Sequence, residues 1–331
     1  MQLKSFGKSG LSVTPLGIGL AALGRPGYIN LGHARDLNGN YDVGAMEQNA
    51  HEVLDAAWSS GIRYFDAARS YGRAELFLSS WLAARDISPA DITVGSKWGY
   101  TYTAGWNIEA DHHEIKEHSP AVLQRQFGES SQLLGSYLAL YQIHSATIDS
   151  GVLTNEDVLC ELARLRAGGL RIGLSLSGPN QADTLLQAMT IRFDGEPLFT
   201  AVQATWNLLS QEAGEALSEA SDAGMGVLIK EALANGRLTT RNRESSFANK
   251  RTMLDEAAAL NETTIDAVAL AVVLNQPWVD VVLSGAATVA HLQSNVRALD
   301  IKGTFETDEL QQYMKETPAY YWAKRSRLAW N

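Results

Sequence analysis

The chain has 331 residues, 45% hydrophobic and 19% charged, which is enough apolar material for a large core and excludes disorder over most of its length. Its formal net charge of -10 argues against a broad phosphate-binding surface, because nucleic-acid affinity rests on clustered Lys and Arg. The opening MQLKSFGKSGLSV lacks the apolar centre of a signal peptide, and no apolar run reaches the roughly 18 to 20 residues needed to span a bilayer, so a cytoplasmic protein with neither a nucleic-acid nor a membrane partner is expected.

In chain order, LKSF and LSV flank Gly7-Lys8-Ser9-Gly10, which reads as a small hairpin with permissive turn residues. Eight short apolar runs then follow: Leu16 to Leu20, Ile62 to Phe65, Ile92 to Gly95, Tyr137 to Ile143, Leu170 to Leu174, Phe199 to Gln203, Gly226 to Ile229 and Val279 to Leu283. Between them fall amphipathic stretches: Met46 to Ser60, Ala74 to Arg85, Ala121 to Leu134, Glu156 to Ala167, Gln181 to Met189 and Glu212 to Asp222. Each is long enough for the crossover that a parallel strand pair requires. Residues 24–44 and 99–119 read as long irregular loops after the first and third strands, of the kind that carries specificity. Cys160, the one cysteine, falls in a helical pattern, which excludes an internal disulfide and predicts a packing role.

Eight β/α alternations allow either a closed barrel or an open doubly wound sheet. Polar residues favour the barrel: Asp66, Lys97, His144, Ser175, Gln203, Lys230 and Ser284 each sit at or just beyond the end of an apolar run, where a barrel's C-terminal strand ends converge. The glycines of LGIGLAALG are not followed at once by a helix, as a dinucleotide-binding turn would require. The prediction is therefore an α/β protein forming one (β/α)8 TIM barrel over 1–331, its bottom closed by the N-terminal hairpin.

The densest chemical signal is GIRYFDAARSYG, in which Tyr71 follows Asp66 by five residues, together with Lys97 in GSKWG and His144 in YQIHS. In these segments, and over nearly its whole length, the chain resembles the aldo-keto reductase family. The resemblance implies reduction of an aldehyde or ketone, or oxidation of the corresponding alcohol or sugar, by hydride transfer from NADPH, with NADH possible. It assigns Tyr71 as proton donor, Lys97 as the cation that tunes it, Asp66 as the anchor of that lysine, and His144 as the neutral group orienting the carbonyl. The chemistry needs such groups, since hydride addition leaves a developing alkoxide that takes a proton and electrostatic support. Singly, each has a structural role open to it: a turn cap, a packed aromatic, a solvated charge, a buried imidazole.

The resemblance also implies cofactor contacts at Ser175, Gln203, Lys230, Leu233, Gly236, Arg237, Gly285, Thr288 and Asn295. Two departures stand out. Leu176 replaces an Asn expected after Ser175, and Lys230 stands near the place of an aromatic that stacks on nicotinamide. Arg237, Arg241, Arg243, Lys250 and Arg251 form a basic cluster opposed by Glu244 alone in the local sequence, which suits an anionic cofactor.

Trp98, Tyr100 and Trp206 are candidates for a substrate wall, with Tyr28, Tyr102 and Trp106 as further aromatics. Asp111-His112-His113-Glu114 and His118 lack the i, i+4 spacing of a compact zinc site, so no metal is assigned. The stretch TPAYYWAKRSRLAWN covers the barrel mouth, meets a partner chain or packs on an outer helix; sequence leaves all three open. Two other functions fit the same residues: an aldolase-type barrel with Lys97 or Lys230 as a Schiff-base nucleophile, or a cofactor-binding subunit with negligible turnover.

Overall fold

A computed structural model describes residues 1–301 and 307–331. Eight parallel strands close into a barrel: β1 (Leu16–Gly19), β2 (Tyr64–Asp66), β3 (Thr93–Trp98), β4 (Leu138–Ala146), β5 (Arg171–Leu176), β6 (Ala201–Thr205), β7 (Gly226–Lys230) and β8 (Val281–Ser284). Neighbours in the chain are neighbours in the barrel, and β8 returns to β1 through Val282 opposite Leu16. The predicted strands are all present, with ends shifted by at most three residues; Leu20, read as the end of β1, begins a single 3-10 turn.

The crossover helices are α1 (Val43–Ser59), α2 (Ala74–Ala84), α3 (Pro120–Leu134), α4 (Glu156–Ala167), α5 (Gln181–Met189), α6 (Gly214–Asp222), α7 (Ala248–Leu260) and α8 (Ile265–Leu274), and α9 (Val289–Val296) follows β8. Their starts follow local chemistry. Asp42, Ser119, Asn155, Thr264 and Thr288 each accept a backbone N–H of the first turn, and Pro120 adds a fixed φ where no N–H is needed. No single helix among the described residues is long and apolar enough to cross a membrane. Cys160 departs from its expected packing role: it is exposed on α4.

The hairpin Lys4–Ser5 with Ser12–Val13 lies at the strand starts and inserts Phe6, fully buried, into a barrel-interior cluster with Tyr64, Leu140, Leu228 and Val281. A side chain at Gly226 would meet the Phe6 ring at 2.4 Å, so the strand approaches this plug only as glycine.

At the opposite end, residues 24–44 contain one short helix, His33–Asp36. Residues 99–119 fold back as a hairpin, Tyr100–Tyr102 paired with Glu114–Lys116. Helices α10 (Thr307–Met314) and α11 (Pro318–Arg325) follow α9. The segment after α11 crosses the mouth, where the backbone of Asn331 pairs with that of Tyr28 at 3.1 and 3.2 Å.

Candidate active site

Asp66 is the last residue of β2 and faces Gly95 of β3 across the ladder. It and Lys97 are buried, at 1% and 0% exposure. The Lys97 ammonium donates to Oδ2 of Asp66 and, at 2.9 Å, to the carbonyl of Ala67. The other carboxylate oxygen accepts the side-chain amides of Gln203 at 3.0 Å and Gln142 at 3.3 Å. A buried ion pair persists when further hydrogen bonds support its charges, and here both oxygens of the carboxylate and two donors of the ammonium are engaged.

Tyr71 sits in the turn between β2 and α2, fixed through its N–H to the carbonyl of Ala68 at 3.0 Å. Lys97 Nζ lies 4.8 Å and Arg25 Cζ 5.2 Å from the Tyr71 ring centroid. No described residue hydrogen-bonds to its hydroxyl, which leaves that group free for a ligand. Burial pushes the phenol well above its usual range, Asp66 adds to the rise, and Arg25 opposes it. The net direction is upward, so Tyr71 holds its proton at neutral pH.

His144 comes from a β-bulge. The β4–β5 register shifts between Ile143 and Ala146, and Ser145 takes φ +54, a device that re-aims a side chain. The Ser145 N–H donates to Ser175 Oγ at 2.8 Å and the carbonyl of His144 meets His118 Nε2 at 2.9 Å, so the bulge is held from both sides. The His144 ring stands edge-on to Tyr71 with centroids 5.5 Å apart, and its Nδ1 is 3.4 Å from the Ser70 hydroxyl. Burial, then Lys97, Lys230, Arg25 and His118, hold the imidazole well below its usual range. It is neutral at pH 7.

These groups open on a cavity of about 610 Å³ at the C-terminal strand ends, lined at this end by Arg25, Tyr28, Tyr71, Tyr100, His144 and Lys230. It continues past Leu233, Asn235 and Gly236 to Gly285, His291 and Asn295. Of the sequence-predicted residues, Asp66, Tyr71, His144, Tyr100, Gln203, Lys230, Leu233, Gly236, Gly285 and Asn295 line this cavity. Lys97 lies directly behind Asp66.

Five are placed elsewhere. Ser175 supports the bulge, Thr288 caps α9, and Arg237 is spent on a buried ion pair with Glu316 at 2.5 Å. Trp98 packs against His118 and Trp206 against Trp278, both behind the wall. Part of the basic cluster is paired from a distance: Asp36 pairs with Arg241, and Lys250 lies 3.8 Å from Glu316. Of the residues weighed and set aside as metal ligands, His113 stacks on Trp330 at 4.1 Å and Glu114 pairs with Arg25 at 2.8 Å.

Sequence reasoning missed Arg25, Glu114, Glu231 and Arg325, all of which line the cavity. Arg325, on α11, reaches Glu231 at 2.6 Å, and Arg25 stacks 4.6 Å over Trp330. Of the three roles left open for the final stretch, covering the mouth is the one observed within this chain.

A closed parallel barrel with a protonated tyrosine, a neutral imidazole and a buried ion pair at its strand ends defines the class of (β/α)8 enzymes that work at that mouth. Within that class the chain belongs to the aldo/keto reductase family, whose model matches residues 16–315, and it is a carbonyl-reducing oxidoreductase. It is 27% identical to a pyridoxal 4-dehydrogenase of Microbacterium luteolum over 74% of each chain. It is 25% identical to an L-glyceraldehyde 3-phosphate reductase of Escherichia coli strain K12, over 94% of this chain and 91% of the other. Among solved structures, the holo form of an aldo-keto reductase from Bacillus halodurans superposes with a TM-score of 0.72 at 21% identity, covering 96% of this chain and 97% of that one.

Proposed function

We propose that the protein reduces a small aldehyde or ketone with a nicotinamide cofactor, or oxidises the corresponding alcohol, with Tyr71 donating the proton to the carbonyl oxygen. The observation that carries this reading is the free Tyr71 hydroxyl, held protonated beside a neutral His144 and flanked by Lys97 and Arg25. Relatives named for pyridoxal and for L-glyceraldehyde 3-phosphate, both small carbonyl compounds, support the substrate class.

The cavity suits a dinucleotide. It runs from the proton donor to the start of α9, and a buried Asn235 Oδ1 on its wall lacks a protein partner. Gln203, Leu233, Gly236, Gly285 and Asn295 are the contacts assigned to that group, with Lys230 at the junction with substrate. When bound, it supplies the hydride.

The chain's own residues do the rest. Tyr71 keeps its proton until a carbonyl oxygen gains charge, and then releases it. Lys97 and Arg25 limit the cost of the phenolate left behind. His144, neutral, offers a ring nitrogen to the same oxygen and repels no cationic neighbour. Asp66 holds Lys97 in place.

Among the alternatives, a Schiff base at Lys97 would have to break the ion pair with Asp66 and the bond to Ala67, which leaves Lys230 as that reading's nucleophile. Borohydride trapping would find it. We further assign the chain as one cytoplasmic unit over 1–331, with small molecules and neither nucleic acid nor membrane as partners.

The deciding experiment is titration of the protein with reduced cofactor, followed by absorbance at the nicotinamide band across a panel of carbonyl compounds. Binding with turnover supports the proposal, and binding without turnover across the panel favours the binding subunit.

A further inference from the structure

Four cations sit on or directly behind the catalytic end of the cavity, and three are matched: Lys97 by Asp66, Arg25 by Glu114 and Arg325 by Glu231. Lys230 is not. Among the described residues no carboxylate lies within ion-pair distance of its ammonium, whose one hydrogen bond goes to the Thr205 hydroxyl at 2.9 Å. An ammonium has three donors, so two are left without protein partners in a half-buried wall of the cavity. Unfilled donors in such a setting carry a desolvation cost that a ligand removes.

The placement of this ammonium is over-determined. Thr205 accepts from Lys230 and donates to Glu231 at 3.2 Å, and Glu231 is held in turn by Arg325. Glu231 itself takes φ +54, a left-handed conformation that a non-glycine residue adopts at a cost. The lysine is close enough to the proton donor's surroundings for its charge to act on His144.

We infer that Lys230 selects the substrate: the carbonyl compounds this protein takes carry a carboxylate or phosphate group, which the Lys230 ammonium holds. This rests on the carbonyl-reductase reading above, and adds to it the charge of the substrate and the residue that reads it.

The surroundings set the pH range of this selection. Burial draws the lysine down to about 8, Arg325 and Lys97 push the same way, and Glu231 and Asp66 oppose. The other groups facing it do not switch near that pH: His144 is neutral, Tyr71 and Tyr28 are pushed up, and Glu231 is drawn down to about 2. Lys230 is therefore charged at pH 7 and loses its charge as pH rises through about 8.

The test compares kcat/KM within two matched pairs, butanal against 4-oxobutanoate and glyceraldehyde against glyceraldehyde 3-phosphate, in the wild-type protein and in Lys230→Met and Lys230→Arg. The expected result is a preference for the anionic member of at least one pair. It should fall roughly tenfold in Lys230→Met, the scale of one charge-assisted hydrogen bond, and survive in Lys230→Arg. Raising the pH from 7 to 9 should erode the preference in the wild type and spare it in Lys230→Arg. Which pair responds separates carboxylate from phosphate.

Turnover of the neutral compounds with no anionic preference overturns the inference. So does a preference that Lys230→Met leaves intact while weakening cofactor binding, which would assign the lysine to the cofactor. Should nothing be turned over, the carbonyl-reductase reading fails, and titration of succinate and inorganic phosphate against tryptophan fluorescence decides the inference alone. Binding lost in Lys230→Met supports it, and absence of binding overturns it.

Discussion

Gln203 donates its side-chain amide to Oδ1 of Asp66 at 3.0 Å, on the carboxylate oxygen that Lys97 does not use. Gln142 shares that oxygen at 3.3 Å. The carboxylate is thus saturated on both sides by groups from β3, β4 and β6, and it ties strands across the barrel rather than only holding one lysine. A residue on the cavity wall therefore has a second duty at the ion pair behind it.

Removing one partner of that pair should be costly. Lys97→Met leaves the Asp66 charge buried and uncompensated, with an expected loss of about 3–5 kcal/mol in stability, the scale for breaking buried pairs. Denaturant unfolding measures it. In the fraction that folds, Asp66 acts on Tyr71 unopposed, so the phenol rises further and the alkaline limb of the pH-rate profile moves up. An unshifted limb in an active variant would remove Lys97 from the tuning of Tyr71.

Tyr71→Phe should do the opposite: leave stability nearly unchanged and depress turnover. The hydroxyl has no protein hydrogen bond to lose, while loss of a general acid costs about two orders of magnitude or more. Cofactor affinity, read by fluorescence titration, should stay near wild type. Near-normal reduction by this variant removes Tyr71 as the proton donor.

How much of this was legible in the sequence differs from element to element. The strands were, because each is a short apolar run with a polar end; β2 shows it, read as Ile62 to Phe65 and found as Tyr64–Asp66. Helix α8 escaped notice because Ile265–Leu274 is buried from Ile265 through Val273 except at Asp266, so it has no polar stripe to reveal a period. Asp66, Tyr71, Lys97 and His144 stood out through their local contexts. Arg25 did not, since it lies in an irregular loop and its partners Glu114 and Trp330 are distant in the chain. The pairing within the basic cluster was hidden for the same reason: Asp36 and Glu316, which pair with Arg241, Arg237 and Lys250, are remote in sequence.

Two buried histidines, His33 and His144, and the half-buried His118 predict an acid-sensitive fold. His144 is held well below its usual range, chiefly by burial, and burial draws His33 and His118 down to about 4. Between pH 6.5 and about 4 the unfolded chain therefore binds protons that the folded chain excludes, and stability rises with pH across that window. At the steepest point three protons give a slope of about 4 kcal/mol per pH unit. Midpoints of urea unfolding from pH 4.5 to 7.5 test this; a flat profile would mean that these imidazoles titrate normally in the folded state.

Cofactor preference turns on two arginines that sequence treated alike. Arg237 is buried against Glu316, whereas Arg241 lines the cavity near His291 while paired with Asp36. A guanidinium already matched by a carboxylate offers a 2'-phosphate only part of its donors. NADPH should therefore bind more tightly than NADH by about tenfold or less, up to roughly 1.4 kcal/mol. Arg241→Met should narrow that ratio toward one, while Arg237→Met should lower stability, by removing the hydrogen-bonded partner of the buried Glu316, and keep the ratio. Fluorescence titration of both reduced cofactors at one salt concentration reads the first effect, and denaturant unfolding reads the second. A wild-type ratio beyond about a hundredfold in either direction, or a ratio that responds to Arg237 and not to Arg241, would refute this division of labour.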